Sequence, residues 1–178
     1  MRPTLDSEEF LEALTNLFRA EGVSRLTVGE IAARLRCSRR RLYEIAQTKE
    51  EIFCVAVDHH LRGLLDEGEA VMREEQDVAA ALAAYLDVGV RGSGIVSAQF
   101  VKDAEESDRA RASFDAYQRA RAAGTRQLID RGVREGVFIE CHGLLLSEMT
   151  LGAAMWIRRP GFLAQAGLTM EEAFREFY

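Results

Sequence analysis

Three consecutive arginines, Arg39, Arg40 and Arg41, are the densest concentration of chemistry in this 178-residue chain. Each carries a planar guanidinium able to bond bidentately to a guanine edge, a phosphate or a carboxylate. From Arg25 to Lys49 there are seven Lys/Arg against Glu30 and Glu44. That stretch is net +5, so the remainder sums to −11 within a total of −6. A basic island on an acidic chain suits a body that points one face at a polyanion and keeps the rest away. An isolated Arg-Arg-Arg run is more often a solvated surface, so the flanking pattern has to decide.

The elements around the arginines favour DNA. Thr27 followed by Glu30 is a capping box that opens a two-turn helix with Val28, Ile31, Ala32 and Leu35 as its apolar stripe. Arg36-Cys37-Ser38 interrupts it, and Ser38 is an N-cap for a second helix with Leu42, Ile45 and Ala46 inward. Thr48 with Glu51 then caps a long helix from Lys49 to about Arg73. Two short helices joined by a tight turn form a helix-turn-helix pattern. The arginines fall in the first turn of its second helix, where the macrodipole opposes cations by about 0.3–1 kcal/mol each. Such a local violation marks a functional site. The N-terminal residues of the second helix are the ones that enter the major groove. One or two arginines are expected to read bases and the others to hold backbone.

The rest of the chain reads as helices. The first covers residues 6–21, with Asp6 as N-cap, Glu9 at the box position and Gly22 as C-cap. His59-His60 reads as partly exposed surface of the fourth helix. An Ala-rich helix over 78–90 leads to a flexible joint at Gly92-Ser93-Gly94, then a shorter helix over about Ile95 to Glu105. A long helix runs from about Asp108 to Glu135, followed by a turn at 135–138 and a strongly apolar helix from Gly143 to Arg158. Pro160-Gly161 is expected to stop it, and Thr169 with Glu172 caps a last helix, Met170 to Phe177. The fold class is all-α, divided into a helix-turn-helix head at 1–53 and a helical body at 54–178. No apolar run approaches the roughly 20 residues of a membrane span, and the N-terminus has no apolar signal core, which points to the cytoplasm. Cys37, Cys54 and Cys141 are odd in number and far apart, which fits neither a disulfide framework nor a zinc site. No nucleophile–base pair, metal motif or phosphate loop is present, so neither an enzyme nor a cofactor is expected.

The stretch TVGEIAARLRCSRRRLYEIAQTKEEIF, 27–53, resembles the DNA-binding domain of TetR-type transcriptional regulators. The matching features are T-V-x-x-I-A before the turn, Ser38, Leu42-Tyr43 and the T-K-E-x-I-F that opens the fourth helix. The likeness covers about residues 6–57; beyond them only architecture and length match. It implies a homodimer on double-stranded DNA with a small-molecule-responsive body. Carried over by position, Thr27, Tyr43 and Lys49 meet phosphates, and Arg39 and Arg40 face bases or backbone. With Ser38 and Arg41 they complete the expected contact set. Arg40 and Arg41 replace the family's common Gly and small polar residue. Glu44 replaces a phosphate-binding Tyr or His, so it is expected either to pair with Arg40 or Arg41 or to accept from a cytosine amino group. Arg36 sits at a turn position often held by Gly.

The helix 143–157 is too apolar to bury one side only. It is either the centre of the core or a face for a second copy, and the resemblance favours the second, with Leu145, Met149, Gly152, Ala153 and Trp156 at the interface. An effector cavity would draw on Tyr85, Gln99, Phe100, Phe114, Tyr117, Met149 and Trp156, a mostly apolar lining that suits a largely apolar ligand. The function expected is a homodimeric repressor released from a palindromic operator. The alternative is an interaction module, or a regulator that answers to a protein partner.

Overall fold

The computed structural model describes residues 7–178, so the Asp6 cap lies outside the described residues. These residues form ten helices and no strand: α1 (Ser7–Glu21), α2 (Val28–Arg34), α3 (Arg39–Tyr43), α4 (Lys49–Glu74), α5 (Val78–Gly94), α6 (Ala98–Glu106), α7 (Asp108–Arg134), α8 (Gly143–Ile157), α9 (Pro160–Ala166) and α10 (Met170–Phe177). No single helix among them is long and apolar enough to cross a membrane.

The chain divides into two compact units. The head unit holds α1 to α3, α4 as far as Leu61, and the segment Ile95–Ser113 that contains α6. Its core is aromatic. Phe18 meets Phe53 edge-on at 5.6 Å between centroids, and Phe53 meets Phe100 of α6 at 5.4 Å. Leu14, Ile31, Leu42 and Ile52 fill the space around them, all fully buried. Edge-to-face pairs of this kind add about 0.5–1.5 kcal/mol to the burial of the rings.

The body unit comprises Arg62–Gly94 and Phe114–Tyr178. One apolar cluster joins Val78, Ala81, Tyr85 and Leu128; another joins Val90, Ala154, Ile157, Ala173 and Phe174. Gly92-Ser93-Gly94, expected as a joint, is instead the last turn of α5. The Ser93 hydroxyl donates to the Val90 carbonyl at 2.6 Å, and a Cβ on Gly92 would stand 2.6 Å from Leu64. The small residues there serve close packing rather than freedom. Pro160 does end α8, but it also opens α9, because its fixed φ suits a first helical position. His60, read from sequence as surface, is 5% exposed against Phe100.

Candidate nucleic-acid interface

Every helix end in the helix-turn-helix is closed by a polar group within reach along the chain. The Thr27 hydroxyl accepts from the Glu30 N–H at 3.2 Å, and Glu30 accepts in return from the Thr27 N–H at 2.7 Å. Those two donors on Thr27, first the backbone and then the hydroxyl, hold the Glu30 carboxyl below its usual range. At the other end of α2, Arg36 is left-handed, φ 52°. Cys37 N–H reaches Ala32 carbonyl at 2.9 Å and Arg36 N–H reaches Ala33 carbonyl at 3.2 Å, the double closure of a Schellman turn. A non-glycine residue there costs about 1 kcal/mol, and it fixes the direction of the turn into α3.

Ser38 caps α3 by accepting from the Arg41 N–H at 3.2 Å. The helix is only five residues long, so the arginines make up most of it. Their surroundings differ. Arg40 extends into solvent with its side chain 90% exposed, and its Nε stands 3.7 Å from Glu44. Arg41 is held: its guanidinium lies 5.1 Å from the Phe10 ring centroid and donates to Glu44 at 3.3 Å. Arg39 folds over Gly29, where a Cβ would stand 2.8 Å from its Nη2. Glu44 therefore pairs with both Arg40 and Arg41, the first of the two roles expected for it. Tyr43 presents its ring at 48% exposure, and Thr27 and Ser38 are exposed beside it in sequence order along the motif.

Lys49 is engaged differently. Its ammonium donates to the Val23 carbonyl at 3.1 Å and the Leu26 carbonyl at 2.8 Å, tying α4 to the loop ahead of Thr27. Of its three N–H bonds, one remains for a phosphate.

The same loop has a second tie that no local pattern announces. The Asp103 carboxylate of α6 accepts from the Val23 N–H at 2.5 Å and the Ser24 N–H at 2.9 Å, from 80 and 79 residues away. Gln99 donates to Asp103 at 2.7 Å and to the Ser24 hydroxyl at 3.1 Å. Burial alone would raise the Asp103 carboxyl, but the donors from Ser24, Gln99 and Val23 outweigh it and hold it below its ordinary value. Gly22 makes the approach possible: it is left-handed, φ 73°, and a Cβ on it would stand 2.5 Å from the carboxylate.

The seven residues expected to line an effector cavity divide between the two units. Gln99 and Phe100 belong to the head unit, where they hold the loop and the aromatic core. Tyr85, Phe114 and Tyr117 are buried in the body. Met149 and Trp156 are 61% and 54% exposed, because the α8 face that carries them turns to solvent. An open groove of about 550 Å³ in the body, lined by Arg119, Arg126, Asp130, Leu144 and Glu148 among others, contains none of the seven. Of the expected interface residues, Leu145, Met149, Gly152 and Trp156 lie on that open face, while Ala153 packs against the Val90 cluster. His142 caps α8, its Nδ1 accepting from the Leu145 N–H at 3.3 Å.

Residues 10–54 match the family model described as bacterial regulatory proteins, tetR family. Similar solved structures cover almost the whole chain. PfmR, a TetR family transcriptional regulator from Thermus thermophilus, is 25% identical with a TM-score of 0.63, over 94% of this chain and 93% of that one. A TetR transcription regulator from Haloarcula marismortui is 21% identical with a TM-score of 0.74, over 95% and 92%. A protein from Saccharomonospora viridis solved in complex with choline is 15% identical with a TM-score of 0.72, over 94% and 90%. No curated protein sequence matches the chain. A capped helix-turn-helix whose second helix carries three arginines, in a chain that is otherwise helical, fits a DNA-binding regulator of transcription. Residues 10–54 carry the DNA-binding domain of the TetR family, and the chain shares the all-helical fold of TetR-family regulators over almost its whole length.

Proposed function

We propose that this regulator is a cytoplasmic homodimeric repressor, released from a palindromic operator by a small, largely apolar effector. In this reading residues 1–53 form the DNA-binding domain and 54–178 the dimerisation and effector domain. The observation that carries it is the split among the arginines. Arg41 is braced against Phe10 and Glu44, Arg39 lies exposed over Gly29, and Arg40 projects with its side chain 90% exposed from a capped helix. Thr27, Ser38 and Tyr43 supply neutral donors for phosphates around it, and the last Lys49 N–H supplies a charged one.

The open face of α8 supports the dimer. Leu145, Met149, Gly152 and Trp156 repeat at helical spacing, the three large side chains are more than half exposed, and nothing lies within 4 Å of a Cβ at Gly152. An exposed apolar stripe flanked by a glycine is suited to close, self-complementary contact across a two-fold axis. Two heads related by that axis then meet half-sites about one helical turn apart, roughly 34 Å. The effector reading draws on the ligand-responsive bodies of the family and on the S. viridis relative, solved with choline.

Selection of bound duplexes from a random pool tests the reading. An inverted repeat is expected. Arg40→Ala should relax preference at one position of each half-site by about 1–3 kcal/mol while leaving the fold unchanged. Recovery of unrelated sequences, or a salt-titrated affinity that is blind to sequence, would remove the operator claim. A monomer in sedimentation at micromolar concentration would remove the dimer.

A further inference from the structure

The body buries two arginines, and only one of them is seen with a carboxylate. Arg158, 6% exposed, pairs with Asp115. Arg121, in the middle of α7, is 4% exposed and has no carboxylate within 4 Å among the described residues. Its guanidinium carbon lies 4.0 Å from the Tyr85 ring centroid. Its Nη2 reaches the Leu86 carbonyl only at 3.5 Å, and its Nη1 is buried with no hydrogen-bond partner. A buried cation without a counter-charge is among the costliest arrangements a core can hold, and apolar side chains of the same volume would serve packing better.

The surroundings are shaped around this charge. A Cβ on Gly89 would stand 3.0 Å from Nη2, and one on Gly68 would stand 3.4 Å from Nη1 and 2.9 Å from the Tyr85 ring. Gly124 allows the Tyr85 hydroxyl to sit where a Cβ would be 2.2 Å away, and that hydroxyl donates to the Arg121 carbonyl at 3.2 Å. Tyr117, also buried, has its phenol pushed up to about 12 by burial, with Arg121 pulling the other way, so it remains a neutral wall. The Tyr178 phenol also accepts from the Arg121 guanidinium, so Nη1 is the one unspent cationic donor among phenol, ring and glycine surfaces.

We propose that Arg121 is the anchor of the effector site and that the effector is a monocarboxylic acid with an apolar or aromatic body, its carboxylate taking up the unspent Nη1. A single negative charge matches the single uncompensated positive one. A phosphate dianion would leave a second charge buried without a partner, and a cation such as choline would be repelled. The assignment rests on the effector reading above and narrows its chemistry.

The test uses the intact protein and thermal melts in the presence of acids from acetate to laurate, benzoate and phenylacetate. The matching amides, choline and inorganic phosphate serve as controls, and operator release is followed in parallel. At least one acid is expected to raise Tm and to bind about thirtyfold or more tightly than its amide. Arg121→Met should fold, judged by its own cooperative melt, yet lose that response, and Arg121→Lys should keep part of it. Equal shifts from acid and amide, an undiminished response in Arg121→Met, or no shift from any acid would overturn the assignment. Release of DNA by amides would overturn it while leaving the effector reading intact. Acids that bind through Arg121 without releasing DNA would overturn the effector reading and leave the site standing.

Discussion

Head and body are both helical, but they are held together in different ways. The head relies on polar side chains that close helix ends: Thr27 with Glu30, Ser38, Thr48 with Glu51, and the Asp103 carboxylate on the Val23–Ser24 loop. The body relies on glycines that let other elements approach. Side chains fill the Cβ positions of Gly92, Gly124 and Gly132, where Leu64, Tyr85 and Phe138 would come within 2.6, 2.2 and 2.1 Å. Within the head, the caps fix the ends of the helices that carry the arginines. A body packed through glycines gains close contact at the cost of tolerance, since each contact admits nothing larger.

The comparison can be broken by substitutions that exchange the two devices. The largest effect is expected from Asp103→Ala, which strips acceptors from two loop N–H groups and should cost on the order of 4 kcal/mol in urea unfolding. Asp103→Asn should recover part of it. Acid comes next, acting through His60. Burial first, then Arg19 and His59, lower its pKa to about 4 from 6.5, so the fold prefers the neutral ring. Protonation is harder in the folded head than in the unfolded chain, so stability is full above pH 6.5 and falls between pH 6.5 and 4, by on the order of 3 kcal/mol. His60→Gln should flatten that slope in urea melts taken across the window. In the body, Gly132→Ala should destabilise by about 2 kcal/mol despite the better helix propensity of alanine, because Phe138 has to move. A neutral or stabilising outcome would mean that the glycine contacts are incidental. The smallest effect, about 1 kcal/mol by thermal melt, is expected for Thr27→Ala, which removes one cap from an otherwise redundant set.

This contrast also explains what could be read from the residues alone. Capping follows a grammar of three-residue spacing, so the starts of α2, α3, α4 and α10 were visible as short patterns; at Arg36 the resemblance marked only a position often held by glycine, which the structure shows to be left-handed. A glycine contact depends on a partner elsewhere in the chain. Gly92-Ser93-Gly94 therefore resembled a joint, because nothing nearby in sequence points to Leu64. His60 looked like helix surface for the same reason, since Phe100 and Arg19 that enclose it come from other helices. The contact set on α3 was legible as a list of residues. The difference between the solvent-exposed Arg40 and the braced Arg41 was not, because it depends on Phe10 of α1. The buried, unpaired state of Arg121 left no trace in a chain where arginines are common and mostly exposed.

The tie between Asp103 and the loop ahead of Thr27 has a consequence for the order of events during synthesis. All the arginines of the DNA-reading helix leave the ribosome well before α6. At that moment the Val23 and Ser24 N–H groups have no carboxylate to meet, and Phe53 lacks the ring of Phe100. The head unit closes only when the chain as far as Ser113 is available. A nascent chain stalled before Asp103 thus carries every arginine of the reading helix without the brace that holds its approach loop. The contacts that brace the approach loop become available only once α6 has been made, after every residue of α3.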